Sequence, residues 1–306
     1  MSDGDGDRAA WEAFWRENGT AQWRVGSCLP AAQALAHMEA QVWSAFAKTL
    51  PAKARVLDLG TGDGRAMAAL LRARRDLKPI GIDMAGTLPP PPRGAKMLPG
   101  VMMHELPFPP AHFAGVISQF GFEYGDIHAT AAAIARVLQP GGRIGLIVHR
   151  EDSPIIAHNR ERAGQIRWAL EDQGLADKAL RNLQLRASGI LALPSDIAEA
   201  PERAVSLFGP QSAGWEIAEA ICRTLLSSRH EMPAQTAAIV RQIVAKAKAE
   251  LGRIGSLERA AQASGLGEKI AAAIVATGMI AEVTGALDDG KAATPLATCL
   301  TFRKPR

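Results

Sequence analysis

Several features that usually announce a function are scarce in this sequence. It has three cysteines (Cys28, Cys222 and Cys299), with no C-x-x-C pair and no His/Cys cluster at metal-ligand spacing. They read as reduced, packed thiols, and a structural metal is not expected. No uninterrupted apolar run is long enough to span a bilayer. The opening Met1–Asp7 is acidic and lacks the basic and apolar regions of a signal peptide, so a cytoplasmic protein is expected. Charge of one sign is also lacking, since the net value is only +4. The basic residues fall in scattered clusters (Arg72, Arg74, Arg75 and Lys78; Arg160, Arg162 and Arg167; Arg303, Lys304 and Arg306), which do not demonstrate the single basic face that nucleic-acid binding needs.

Apolar residues are plentiful, at 47% of 306, enough for a substantial core. The most telling stretch is residues 56–65, Val-Leu-Asp-Leu-Gly-Thr-Gly-Asp-Gly-Arg. A short apolar strand runs into Gly60, Gly62 and Gly64, and a helical pattern with Met67, Leu70 and Leu71 on one face follows. Glycines allow a tight turn and a close ligand approach, and the helix start offers unpaired N–H groups and a positive dipole end. A second strand, Pro79–Asp83, ends in a carboxylate roughly 20 residues past the loop, where a doubly wound sheet places the acid that grips ribose hydroxyls. Dinucleotide sites of the G-x-G-x-x-G type need a third glycine at position 65, and Arg65 stands there.

The remaining pattern, D-x-G-x-G-x-G, resembles the S-adenosylmethionine (SAM) loop of class I methyltransferases, of the type 11-like, small-molecule branch. The resemblance is dense from residue 50 to 150. Strand four is read at Gly115–Gln119, then a helix from the N-cap Asp126 through Ile134 and Leu138, a breaker-rich Gln139-Pro140-Gly141-Gly142 turn, and strand five at Arg143–Val148. Ile280–Thr284 and Ala297–Phe302 resemble the antiparallel pair that closes this family's seven-stranded sheet, with Asp288, Asp289 and Gly290 in the turn between them. The resemblance implies SAM as cofactor, with Asp58, Gly60 and Gly62 on its methionine part and Asp83 on its ribose. It also places Met84, His104, Glu105 and Gln119 at the cofactor. Two departures stand out. The family's acid before Leu-Pro-Phe is missing from Met102-Met103-His104-Glu105-Leu106-Pro107-Phe108, and its Phe-Asp pair reads Phe113-Ala114. The helix between strands two and three gives way to an extended loop at Thr87–Pro92, because consecutive prolines lack helix donors.

The expected organisation is an N-terminal helical cap over 1–49, an α/β core over 50–150, a helical insertion over 151–275 and closing strands over 276–306. The first region is tryptophan-rich (Trp11, Trp15, Trp23, Trp43); these pack a core, or Trp11, Trp15 or Trp23 forms a lid over the site, as related enzymes use such a helix. In the insertion, Ala218, Ile221, Cys222 and Leu225, then Ile239, Val240, Ile243 and Val244, repeat at helical spacing, with Ser195-Asp196 and Ser256 as helix starts. An insertion after strand five belongs at the carboxyl ends of the strands, where open α/β sheets bind ligands. It can serve as a substrate cap, a homodimer surface or both.

Methyl transfer from a sulfonium needs positioning more than covalent help. A base is required only where the acceptor must lose a proton. Glu123, Tyr124 and His149 project from the carboxyl ends of strands four and five, and His149 has an ordinary pKa suited to a base near neutrality. Nucleobase-amino methyltransferases often carry an Asn/Asp-Pro-Pro-Tyr/Phe run after strand four; the sequence here is Gln119-Phe120-Gly121-Phe122. The paired cysteines used to attack C5 of pyrimidines are missing too. A small or lipophilic acceptor is therefore expected, with an RNA or protein methyltransferase and a non-catalytic SAM-binding or assembly factor as alternatives.

Overall fold

Alternation along the strands builds a sheet that is apolar on both faces. The computed structural model describes residues 11–12, 32–187, 189, 192–228, 231–288, 290 and 293–306. Trp15, Trp23, Cys28 and Asp289 of the sequence reading lie outside them. Helix α1 (Ala32–Lys48) leads into β1 (Arg55–Leu59), α2 (Arg65–Ala73), β2 (Lys78–Asp83), β3 (Lys96–Pro99), β4 (Phe113–Gln119), α3 (Ile127–Val137) and β5 (Leu138–Val148); β6 (Ile280–Leu287) and β7 (Ala297–Arg303) come last. The strand order is β3-β2-β1-β4-β5-β7-β6. β1 to β5 run parallel, and β7 is antiparallel to both β5 and β6. This is the expected seven-stranded, Rossmann-like methyltransferase sheet.

Side chains one apart along a strand serve opposite layers. Leu57, Val116 and Leu146 pack against α3 and the Glu268–Ala276 helix, while Val56, Ile117 and Ile147 pack against α1 and α2. Trp43, on α1, is 1% exposed within the second layer. Asp126 caps α3 by accepting from the Ala129 N–H at 2.9 Å. Arg74, just past α2, bonds Asp76 at 2.7 Å and the carbonyls of Ala47, Leu50 and Pro51 at 3.3–3.4 Å, which ties the end of α2 to the end of α1.

Two details differ from the sequence reading. Gln139–Gly142 is absorbed into the start of β5 as an irregularity: Phe113 pairs with Leu138 and Gly115 with Arg143, and the extra residues loop out with Gly141 at φ 75°. Ser256 does not start a helix. It lies inside one helix running from Pro233 to Ser264, because the first left-handed glycines after Pro233 are Gly265 and Gly267. The proline-rich Thr87–Pro92 segment is a loop.

The chain divides into two compact units, one of residues 1–157 with 255–306 and one of residues 158–254. The second lies within the 151–275 range of the expected insertion. It is helical, with Leu175–Ala187, Ala200–Phe208 and Ala213–Ser227 among its helices, and no strand occurs in it among the described residues. Ala169, Leu175, Ala179, Ala204, Ile221 and Val240 form its own core. No helix among the described residues is long and apolar enough to cross a membrane.

Candidate functional site

The glycine loop hangs from two strand ends by backbone chemistry. Gly60, Gly62 and Gly64 have φ values of 63°, 52° and 75°, all in the left-handed region that costs other L-residues about 1–2 kcal/mol. Thr61 donates its N–H to the Ile82 carbonyl at 2.9 Å and its hydroxyl to Asp58 Oδ2 at 2.7 Å. Gly62 donates its N–H to Asp83 Oδ2 at 3.0 Å. The register of β1 against β2 places Asp58 opposite Gly81, and a Cβ on Gly81 would stand 2.4 Å from the Thr61 hydroxyl. The β2 glycine is thus what leaves room for Thr61. On the other side, a Cβ on Gly60 would stand 3.0 Å from Gly121 Cα, so the loops after β1 and β4 touch through glycines.

Both acids of the loop are buried. Asp58 is 1% exposed; burial, more than its neighbours Asp83 and Asp63, pushes its carboxyl up to about 7. Asp83 is also raised by burial, against hydrogen bonds from Ala85 N–H (3.0 Å) and Gly62 N–H. Among the described residues, no cation forms an ion pair with either. A pair of buried carboxyls beside a glycine loop fits a ligand with a sulfonium and an ammonium, whose charge favours their ionised forms. The residues present therefore fit SAM.

Farther along the sheet, the expected cofactor residues separate. Met84 is half-buried directly after β2. His104 and Glu105 are exposed on the loop after β3, paired with each other at 3.8 Å, and among the described residues neither bonds the glycine loop or Asp83. Met103 turns inward instead, with its Cε 2.9 Å from where a Gly125 Cβ would stand, which links the loops after β3 and β4. The Gln119 amide is taken by α1: its Oε1 accepts from Trp43 Nε1 at 2.6 Å, and its side chain bonds Glu39. Glu39 is 4% exposed, and burial raises it to about 7 against the pull of Arg65. Sequence reasoning missed Glu39. Its signal was a lone carboxylate in the stripe Leu35, Glu39, Trp43, whose members are all buried.

The three catalytic candidates do meet. Glu123 Oε1 accepts the backbone N–H of His149 at 2.8 Å. The His149 ring stacks on Phe120 with centroids 4.3 Å apart and meets Tyr124 edge-on at 6.0 Å; Tyr124 in turn meets Trp11 edge-on at 5.4 Å. Ser264 donates its hydroxyl to the His149 carbonyl at 2.6 Å, a contact with no sequence signal. Phe120 is held at φ 53°, an uncommon conformation for a bulky residue that marks strain at this point. Two buried polar atoms here, Glu123 Oε2 and His149 Nδ1, have no hydrogen-bond partner among the described residues. The expectation of an ordinary histidine base is corrected: burial lowers His149 to about 3, so it stays neutral near pH 7 and binds protons weakly. Burial has the opposite effect on Glu123, raising it to about 7.

A family model described as a methyltransferase domain matches residues 33–185, half of the chain. No curated protein matches. Among solved structures, the chain is 25% identical to a Haloferax volcanii protein bound to the Trm112 methyltransferase activator, covering 46% of this chain and 60% of that one, with a TM-score of 0.33. A geranyl diphosphate C-methyltransferase from Streptomyces coelicolor A3(2), in complex with Mg2+, geranyl diphosphate and S-adenosyl-L-homocysteine, is 14% identical over 48% and 65% of the two chains, with a TM-score of 0.38. A SAM-dependent methyltransferase from Aquifex aeolicus is 17% identical over 41% and 71%, with a TM-score of 0.33. The chain thus spans less than two thirds of the length of the first two. With half its length matched to the family model, this chain belongs to the methyltransferase-domain family of class I SAM-dependent methyltransferases, whose cofactor is S-adenosylmethionine.

Proposed function

We propose that the enzyme transfers the methyl group to a small or lipophilic acceptor bound beside the carboxyl ends of β4 and β5. One observation carries this reading: Phe120, His149, Tyr124 and Trp11 form a linked row of aromatic contacts that includes the buried His149 Nδ1, and Glu123, whose Oε2 is also buried, bonds the His149 backbone. Mainly apolar, aromatic surroundings with a few polar groups suit a compact organic molecule.

SAM, when bound, supplies a methyl group already activated on sulfur. Asp58, Gly60 and Gly62 would hold its amino-acid end, and Asp83 its ribose, through the acceptor capacity a carboxylate keeps after two hydrogen bonds. The chain's own task is to fix the acceptor atom in line with that methyl group and to exclude water. Such positioning supplies up to roughly 7–11 kcal/mol of a barrier. Gly121 packed on Gly60 joins the loop that would hold the donor to the turn carrying the aromatic wall.

The test is to incubate the purified protein with methyl-tritiated SAM and fractionated cell extract. Label is expected in small, solvent-extractable molecules. Label confined to RNA or protein would sink this reading.

A further inference from the structure

Of the buried polar groups in the first unit, Glu123 Oε2 and His149 Nδ1 alone combine three properties. Both atoms are fully buried, both lack a partner among the described residues, and their residues are joined by the hydrogen bond from the His149 backbone N–H to Glu123 Oε1. Leaving a buried polar atom unpaired costs roughly 1–3 kcal/mol, and two in one place call for a ligand group that satisfies them. The ring stacked on His149 belongs to Phe120, whose backbone is the strained point of this wall.

We propose that Glu123 is the catalytic proton acceptor of the reaction, and that the methyl acceptor is a molecule whose reacting oxygen or nitrogen carries a weakly acidic proton. This rests on the methyltransferase reading above. The acceptor enters by displacing the Phe120 ring and places its O–H or N–H against Oε2, while His149 Nδ1 bonds the same molecule as a neutral imidazole. As the bond from oxygen or nitrogen to the methyl carbon forms, the carbon–sulfur bond breaks with its electron pair left on sulfur, and the proton passes to Oε2. Charges balance: the anionic carboxylate and the sulfonium both end neutral, which suits a buried site where a lone charge is costly.

The geometry favours Glu123 over its neighbours. Its Oε1 is fixed by the His149 N–H, so Oε2 is held in one place. The titratable residue bonded to it is His149, directly after β5, whose ring meets Tyr124, and among the described residues no lysine or arginine bonds it. A carboxyl raised to about 7 is half-ionised at neutral pH, which is where a general base works best.

Glu123→Gln keeps the Oε1 acceptor and loses only the ability to take a proton. Purified full-length wild type and variant are compared for S-adenosylhomocysteine binding by calorimetry, and for label transfer from tritiated SAM to the same extract fraction at pH 6 to 9. The expected result is unchanged binding, transfer lowered by about 100-fold or more, and loss of the wild-type rise in rate that levels off above about pH 7. Transfer by the variant within a few-fold of wild type overturns the proposal. So does loss of S-adenosylhomocysteine binding together with activity, which would make Glu123 structural. A labelled product formed from a tertiary amine or a thioether, neither of which has a proton to lose, also overturns it. Failure of the wild type to label any fraction would instead strike the acceptor reading on which this rests, and the proposal with it.

Discussion

Asp83 Oδ2 accepts the backbone N–H of Gly62 at 3.0 Å, so the acid at the end of β2 is a strut of the glycine loop as well as a candidate cofactor ligand. Removing it should disturb both. Asp83→Ala is expected to weaken S-adenosylhomocysteine binding by about 10-fold or more and to lower stability by roughly 1–3 kcal/mol, because Gly62 N–H and Ala85 N–H lose a buried charged acceptor. Calorimetry and denaturant melts read the two effects separately. Unchanged affinity would show that the ribose is held elsewhere.

Cofactor binding should depend on pH through Asp58. Burial raises its carboxyl to about 7 without ligand, and a cationic ligand lowers it again by favouring the charged form. Binding at pH 6 must therefore release a proton, and the dissociation constant should fall as pH rises, by up to about tenfold per unit for one proton, and level off above about pH 7. Calorimetry in two buffers of different ionisation enthalpy would detect the released proton. A flat profile from pH 6 to 8 would show that Asp58 does not sense the ligand's charge.

The glycine loop and the Asp126 cap were legible because each rests on local chemistry, and the closing strand pair was legible through its resemblance to the family's antiparallel pair. Positive φ calls for glycine, a short apolar run before it for a buried strand, and a carboxylate before an apolar helix for a cap. Other features depend on distant neighbours. Ser256 has the chemistry of a helix start and follows Gly255, yet that glycine keeps a helical backbone and the helix in which both lie runs on. His149 looks like an ordinary base until the rings of Phe120 and Tyr124 remove its water. Glu39 shows its importance only when Gln119, eighty residues on, is brought to its side.

Stability should also respond to pH, in opposite senses for the two residue types. Glu39 and Glu123 go from an ordinary 4.5 to about 7 on folding, so the folded state holds protons that the unfolded state releases. Their stability contribution is present below pH 4.5 and is lost as pH rises through about 7, with a ceiling of roughly 3 kcal/mol each. His149 moves from 6.5 to about 3, so its contribution is present above 6.5 and is lost as pH falls toward 3. Thermal melts should show stability declining from about pH 5 to pH 8. Glu39→Gln and Glu123→Gln should each flatten that decline, and an equally steep decline in both variants would contradict the burial of these carboxyls.

Phe120 offers a way to measure strain at the site directly. Its φ of 53° costs any L-residue about 1–2 kcal/mol, while glycine adopts it freely. Phe120→Ala loses the ring stacked on His149 and keeps the backbone cost. Phe120→Gly loses the same ring but relieves that cost. Outside such positions glycine is the less stable of the two by roughly 0.5–1 kcal/mol, through its greater unfolded-state entropy. The expected order is therefore inverted here, with Phe120→Gly equal to or more stable than Phe120→Ala in denaturant melts. If alanine is the more stable by the usual margin, the backbone at the end of β4 relaxes once the ring is gone, and Phe120's own side chain is what imposes the strain.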